Sequence, residues 1–214
     1  MGAGGVSGIT FRRAVKDDLD DLLKIAQITQ NEHAERLPQV FTKDKEAASA
    51  MYLRAAVETA GRPATIRDAA AIVAEQDGRI LGYVAYIAVL EPHDLDRHGV
   101  VGTITDISIV PDHRRSGLGR QLLDRAARAL DELEVTVIHA QVWTGNAASE
   151  RLFSGSGFSP HFRQFNRQLR PWIDAPFPAR RLHWKGRLKY LTSLLVPPLL
   201  VIAGLTLIRL LLSR

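Results

Sequence analysis

The chain has 214 residues, 46% of them hydrophobic, which allows one α/β domain with a sizeable core plus an appendage. Its 28 Lys and Arg against 23 Asp and Glu leave a formal charge of +5, too small an excess to indicate a nucleic-acid partner. The absence of cysteine excludes disulfides, thiolate metal sites and a cysteine nucleophile, and the seven His show no zinc spacing, so no metal is expected.

Residues 1–8 are Gly-rich and lack a charged-then-apolar signal pattern. They also miss the myristoylation pattern, because Val6 stands where Ser or Thr is required, and they read as a flexible N-terminus. A short strand is expected over 9–14. Asp17 then reads as a helix cap, with Asp18, Asp20 and Asp21 in the first turn and Leu19, Leu22, Leu23 and Ala26 as the apolar side. Residues 31–38 look like a connecting loop, and 45–60 like a helix broken by Gly61 and Pro63. Two apolar runs, 69–75 and 80–90, flank Asp77-Gly78, a strong hairpin signal. The polar stretch 91–99 reads as a loop carrying His93, Asp94, Asp96 and His98.

The segment 103–133 organises the chain. Residues 104–110 predict a strand with Ile107 and Ile109 on one face and Asp106 and Ser108 on the other. Pro111 removes a ladder donor and ends it. After the basic turn from His113 to Gly119, Leu122, Ala126 and Leu130 recur at helical spacing, with Leu118, Leu123, Ala127 and Leu133 widening the stripe. The first amides of such a helix lack intrahelical partners and its dipole is positive there. Gly117 and Gly119 would let a ligand approach the backbone, a geometry that suits a pyrophosphate.

Residues 135–143 predict a further strand, and Asn146 opens a helix over 147–155 that Gly157 closes. The dinucleotide fingerprint fits poorly, because a third Gly and a later acidic residue are missing, and there is no P-loop Gly-Lys-Ser/Thr. Arg114-x-x-Gly117-x-Gly119, preceded by Ile107-x-Ile109-Val110-Pro111 and followed by Arg120, resembles the acyl-CoA-binding signature of the GNAT superfamily of N-acetyltransferases. The run from Asn146 through Ser149 and Phe153 to Gly157-Phe158 is similar to that family's second motif, and the resemblance covers residues 9–169.

The resemblance implies an α/β fold: a mixed, mostly antiparallel sheet flanked by helices, with a splayed parallel pair of strands, 104–110 and 135–143. It implies acetyl-CoA as co-substrate and direct acetyl transfer to an amine acceptor. The pantetheine would lie near Ile107, Ser108 and Ile109, and the pyrophosphate on the turn of Arg114, Arg115, Ser116, Gly117, Leu118, Gly119 and Arg120. Asn146 and Phe153 would stand close to the cofactor. An ammonium is no nucleophile and an amine pKa near 10 leaves little neutral at pH 7, so a base is needed; Asp106 is the candidate catalytic residue. The cluster of His93, Asp94, Asp96 and His98 is the alternative, and His33 and Glu35 are candidate acceptor contacts. Many family members carry Tyr where this chain has Phe153, which cannot protonate a departing thiolate. A catalytically silent acyl-CoA-binding or regulatory module is therefore the alternative function.

Residues 170–189 read as a basic juxtamembrane linker, with Arg180, Arg181, Lys185, Arg187 and Lys189 beside Trp172, Trp184 and Tyr190. Residues 190–212 are apolar almost throughout, and 23 residues at about 1.5 Å rise span a hydrocarbon core of about 30 Å. The expectation is a C-terminal transmembrane helix acting as a tail anchor in membrane lipid. The basic flank places the catalytic domain on the cytoplasmic side of a single-pass protein. A hydrophobic helix packed on the domain or within a homodimer is the competing arrangement, and the oligomeric state is open.

Overall fold

The computed structural model describes residues 8–43, 46–58, 65–93 and 97–160. These all fall within the first of two units of the chain, Met1–Arg163; the second, Gln164–Arg214, lies outside the described residues. The expectations for 1–7, 170–189 and 190–212, for Lys45, Asp94 and Asp96, and for the break at Gly61 therefore fall on residues not described. Among the described residues no helix is long and apolar enough to cross a membrane.

In chain order the elements are β1 (Thr10–Arg13), α1 (Leu19–Arg36), α2 (Ala50–Val57), β2 (Ile66–Gln76) and β3 (Arg79–His93), then β4 (Arg97–Ile109), α3 (Leu118–Asp131), β5 (Val135–Ala140) and α4 (Ala147–Gly155). The strands form one sheet in the order β1-β2-β3-β4-β5, antiparallel except for the parallel β4–β5 pair. The expected hairpin is present: Gln76 pairs with Arg79, and Asp77 and Gly78 both take positive φ (52° and 75°), as a two-residue turn matching strand twist requires.

Each face of the sheet has its own core. On one, Val84, Tyr86, Ala88, Val100 and Ile104 pack against Leu118, Leu122, Leu123, Ala126 and Leu130 of α3. On the other, Ala71, Val73, Tyr83 and Ala85 pack against Leu22, Ile25 and Ala26 of α1 and Leu53 and Ala56 of α2. Sheet strands that alternate between two helical layers bury both faces, which is why β2 and β3 read as continuous apolar runs.

Four expectations need correction. Residues 31–36 are not a loop, because α1 continues to Arg36. Its buried stripe of Leu22, Ile25, Ala26 and Ala34 passes through a polar residue, Gln30, satisfied by the Thr42 carbonyl and the Ala48 amide at 3.4 Å each. The helix expected over 45–60 is confined among described residues to Ala50–Val57. The stretch 91–99 is largely the far end of a long hairpin in which Pro92 pairs with His98, so His93 and His98 are strand residues. Asp17 does not cap α1. It lies in a 3₁₀ turn, Lys16–Asp18, whose Asp18 carboxylate accepts from the Val15 amide (2.8 Å) and from Arg12 (2.6 and 2.8 Å).

Candidate active site

The parallel ladder runs from Val100↔Val135 to Ile104↔Ala140 and stops there, although β4 continues on β3 as far as Ile109. Beyond Ile104 the edge of β4 that faced β5 has lost its partner. The two strands splay as expected, and the gap is a cleft of about 120 Å³ lined by Thr105, Asp106, Ile107, Asn146 and Phe153 among others.

A bulge aims the side chains there. Ala85 pairs with Asp106 and Tyr86 with Ile104, so Thr105 is an extra residue on β4 and resets the alternation. Ile104, Ile107 and Ile109 all belong to the α3-side core, whereas Asp106 and Ser108 face α1 and α2. Without the extra residue Asp106 would share the face of Ile104. The Thr105 hydroxyl oxygen is buried and has no hydrogen-bond partner.

Asp106 sits at the centre of a hydroxyl network. Its carboxylate accepts from Tyr83 Oη at 2.5 Å and from the Ser49 hydroxyl and the Ile107 amide. Burial pushes its pKa above the ordinary carboxylate value, and these donors and the nearby His33 only partly oppose that. Burial, followed by the Asp106 charge, holds the Tyr83 hydroxyl pKa well up. Ser108 Oγ lies 2.9 Å from Thr29 Oγ1, which ties α1 to β4.

Thr29, Glu32, His33 and Arg36 recur at the i, i+3, i+4, i+7 spacing of one helical face. Thr29 and His33 line the cleft. His33 stacks on Phe41 with centroids 5.1 Å apart, and Phe41 meets Trp143, another lining residue, edge-on at 4.9 Å. Glu35 points elsewhere and pairs with Lys43 at 2.8 Å, so of the two candidate acceptor contacts only His33 reaches the cleft. Thr29, Ser49, Tyr83 and Thr105 were not anticipated. The signal for Thr29 was its place four residues before His33, hidden by the reading of a loop.

The basic turn divides into parts. Arg115, Ser116, Gly117 and Arg120 are exposed, and Gly117 is the α3 N-cap at φ 84°, where an added Cβ would meet nothing within 4 Å. No side chain caps the helix, and the Gln121 amide binds the Gly117 carbonyl at 3.2 Å, so the amides of Leu118, Gly119 and Arg120 precede the first helical bond. Gly119 is buried and serves packing instead. A Cβ there would lie 3.1 Å from Ile109 Cδ1 and 3.4 Å from Leu152, which replaces the expected reason for this glycine. Leu118 is buried in the α3-side core. Arg114 is turned to protein: Nε donates to the Ile109 carbonyl (2.9 Å), Nη1 pairs with Glu32 (2.7 Å), and its amide binds the Pro111 carbonyl (3.2 Å). Asn146 caps α4 by accepting from the Ser149 amide at 3.3 Å, and Phe153 is buried edge-on against Phe158 at 5.1 Å. Among the described residues no cluster of His, Asp and Glu suits a metal ion.

A parallel strand pair that parts beside an uncapped, glycine-led helix N-terminus has a shape and polarity that suit an extended, phosphate-bearing ligand. Residues 26–158 match the Acetyltransferase (GNAT) family, and the chain belongs to it. It is similar to L-2,4-diaminobutyric acid acetyltransferase of Streptomyces avermitilis, 34% identical over 86 residues; the match spans 39% of this chain and 44% of that relative. The fold resembles that of a variant of the BH1408 protein from Bacillus halodurans, with a TM-score of 0.66 at 15% identity over 75% of this chain and 99% of the other. It also resembles a ribosomal-protein-alanine N-acetyltransferase from Brucella melitensis biovar Abortus, with a TM-score of 0.52 at 16% identity over 75% and 99% of the two chains.

Proposed function

We propose that the protein is an N-acetyltransferase that moves an acetyl group directly from acetyl-CoA to a primary amine of a small molecule or peptide. The observation that carries the reading is the parting of β4 and β5 after Ile104 and Ala140, with Asp106 in the cleft and the uncapped start of α3 beyond it. The residues fit acetyl-CoA: amides without an intrahelical partner for a pyrophosphate, an unpaired strand edge for a pantetheine, and an orphaned Thr105 hydroxyl in the wall. In this reading Arg115, Ser116, Gly117, Leu118, Gly119 and Arg120 hold the phosphates through backbone, while Ile107, Ser108 and Ile109 offer strand backbone. Arg114 braces the turn from behind, and Asn146 and Phe153 close the far wall. The bound acetyl-CoA supplies the activated acetyl group.

Asp106 takes the amine proton, and its raised pKa makes it a stronger base than an exposed carboxylate. Phe153 offers no proton to the departing thiolate, which is tolerable for so good a leaving group. The diaminobutyric acid relative supports an amine acceptor. The apolar segment 190–212, behind its basic and aromatic flank, supports a single-pass membrane anchor with the catalytic domain on the cytoplasmic side. Acetyl-CoA-dependent release of CoA thiol, screened over amino acids, polyamines, aminoglycosides and peptide N-termini, tests the activity. Tight acetyl-CoA binding with no release from any amine would favour the silent module instead.

A further inference from the structure

The acceptor side of the cleft contains a side chain whose tautomer is set by its neighbours. Arg36 Nη2 lies 3.2 Å from His33 Nδ1, and a guanidinium has donors only, so Nδ1 is the accepting atom. A neutral imidazole that accepts at Nδ1 carries its proton on Nε2. The arrangement is braced from both sides. Arg36 Nε is itself bound to the Glu32 carbonyl at 3.2 Å, and the ring lies flat on Phe41, which Trp143 backs. Burial first, then the Arg36 charge, lower the His33 pKa, against smaller opposite effects of Asp106 and Glu32, which favours the uncharged ring.

A ring in that tautomer has no lone pair at Nε2 and cannot take a proton there from the amine. It has instead an N–H to give, polarised by a guanidinium on its other nitrogen, and such a donor is best matched by an anionic oxygen. Asp106, lining the same cleft, is an acceptor-only carboxylate suited to the nitrogen end of the acceptor. We propose that His33 is a specificity-determining residue whose Nε2–H binds a carboxylate oxygen of the acceptor, so that the acceptor is an amino acid held with its amine toward Asp106 and its carboxylate toward His33. This rests on the N-acetyltransferase reading above.

The full chain is assayed for CoA release on matched pairs that differ only by a carboxylate: 2,4-diaminobutyrate against 1,3-diaminopropane, and β-alanine against ethylamine. The acid of at least one pair should be preferred by about tenfold or more in kcat/KM, as expected when a half-buried donor is left unpaired by the analogue. His33→Leu should remove most of that preference through KM and leave the pH dependence of kcat in place. His33→Gln, which keeps a donor, should retain much of it. Equal use of acid and amine, equal behaviour of the Leu and Gln variants, or loss of the acidic limb of kcat in His33→Leu would each overturn the inference. Long-range ¹H–¹⁵N correlation of His33 provides a second reading that needs no turnover. It should show a protonated Nε2 and a bare Nδ1, and the opposite tautomer overturns the proposal outright. Failure to release CoA from any amine overturns the transferase reading, a result distinct from turnover without preference.

Discussion

Asp106 and Gly117 have separate jobs in the proposed reaction, one in the cleft and the other at the start of α3. Asp106→Asn keeps the volume and an acceptor for Tyr83 and Ser49 but has no lone pair basic enough for an ammonium proton. The expected outcome is a fall of about 10²-fold or more in kcat with unchanged CoA affinity. In the unmutated protein the proposed mechanism has kcat fall on the acid side as Asp106 is protonated, above the ordinary carboxylate value of 3.8, because burial raises its pKa. The same shift has a stability consequence. A carboxyl whose folded pKa is raised favours the folded state while protonated, and that advantage is lost as pH rises through the folded value. Asp106→Asn should therefore leave the Tm at neutral pH unchanged or higher, and a lower Tm with unaltered kcat would mark Asp106 as structural. At Gly117 the backbone sits at φ 84° in open space, so Gly117→Glu brings backbone strain and a negative charge to the uncapped amides without a core clash. Acetyl-CoA affinity measured by calorimetry should be lost while the fold persists by circular dichroism.

At the scale of elements, α1 is the part whose placement matters most. It is fastened at its start by Asp18, which accepts from Nη1 and Nη2 of Arg12 in β1, while Arg12 also reaches Glu75 of β2. Its middle is fastened by Thr29 on Ser108, and its end by Glu32 on Arg114. The hydrogen bonds from Arg12 lower the Asp18 pKa, so this contribution is full above the unfolded value near 3.8 and disappears as pH falls through the lower folded value. Asp18→Ala should cost about 1–2 kcal/mol at neutral pH, discounted because Arg12 is 40% exposed, and the difference from wild type in urea titrations should shrink below pH 3.8. The strand–turn–helix of β4 and α3 was legible in advance because the alternation from Asp106 to Ile109 and the helical stripe of α3 are unbroken. The second half of α1 was not, because a buried glutamine interrupts the stripe.

For the whole molecule, the family match ends at residue 158 and every described element lies before residue 160. Deleting 190–214 should therefore yield a protein that still binds acetyl-CoA and no longer sediments with membranes, whereas the full chain should resist carbonate extraction. A truncated protein that aggregates and melts far lower would show that the apolar segment is packed as core. Several kcal/mol would then be at stake, at about 1.5–3 kcal/mol for each large apolar side chain buried.

The amino-acid order by itself determined the hairpin at Asp77-Gly78, the strand that carries Asp106, the glycine-led start of α3 and the Asn146 cap of α4. These depend on local rules: positive φ at a turn, alternation along a strand, an acceptor before a helix. Only the tertiary structure decided which groups meet. The Thr105 bulge exists because β3 and β4 pair out of step there, and no residue type announces it; it alone turns Asp106 toward α1. Tyr83 in β3 and Ser49 just before α2 are far apart in the sequence, so their convergence on the Asp106 carboxylate depends on packing between layers, which no local pattern encodes. The two motif glycines, alike in sequence, differ because Gly117 faces open space while Gly119 lies against Ile109 and Leu152.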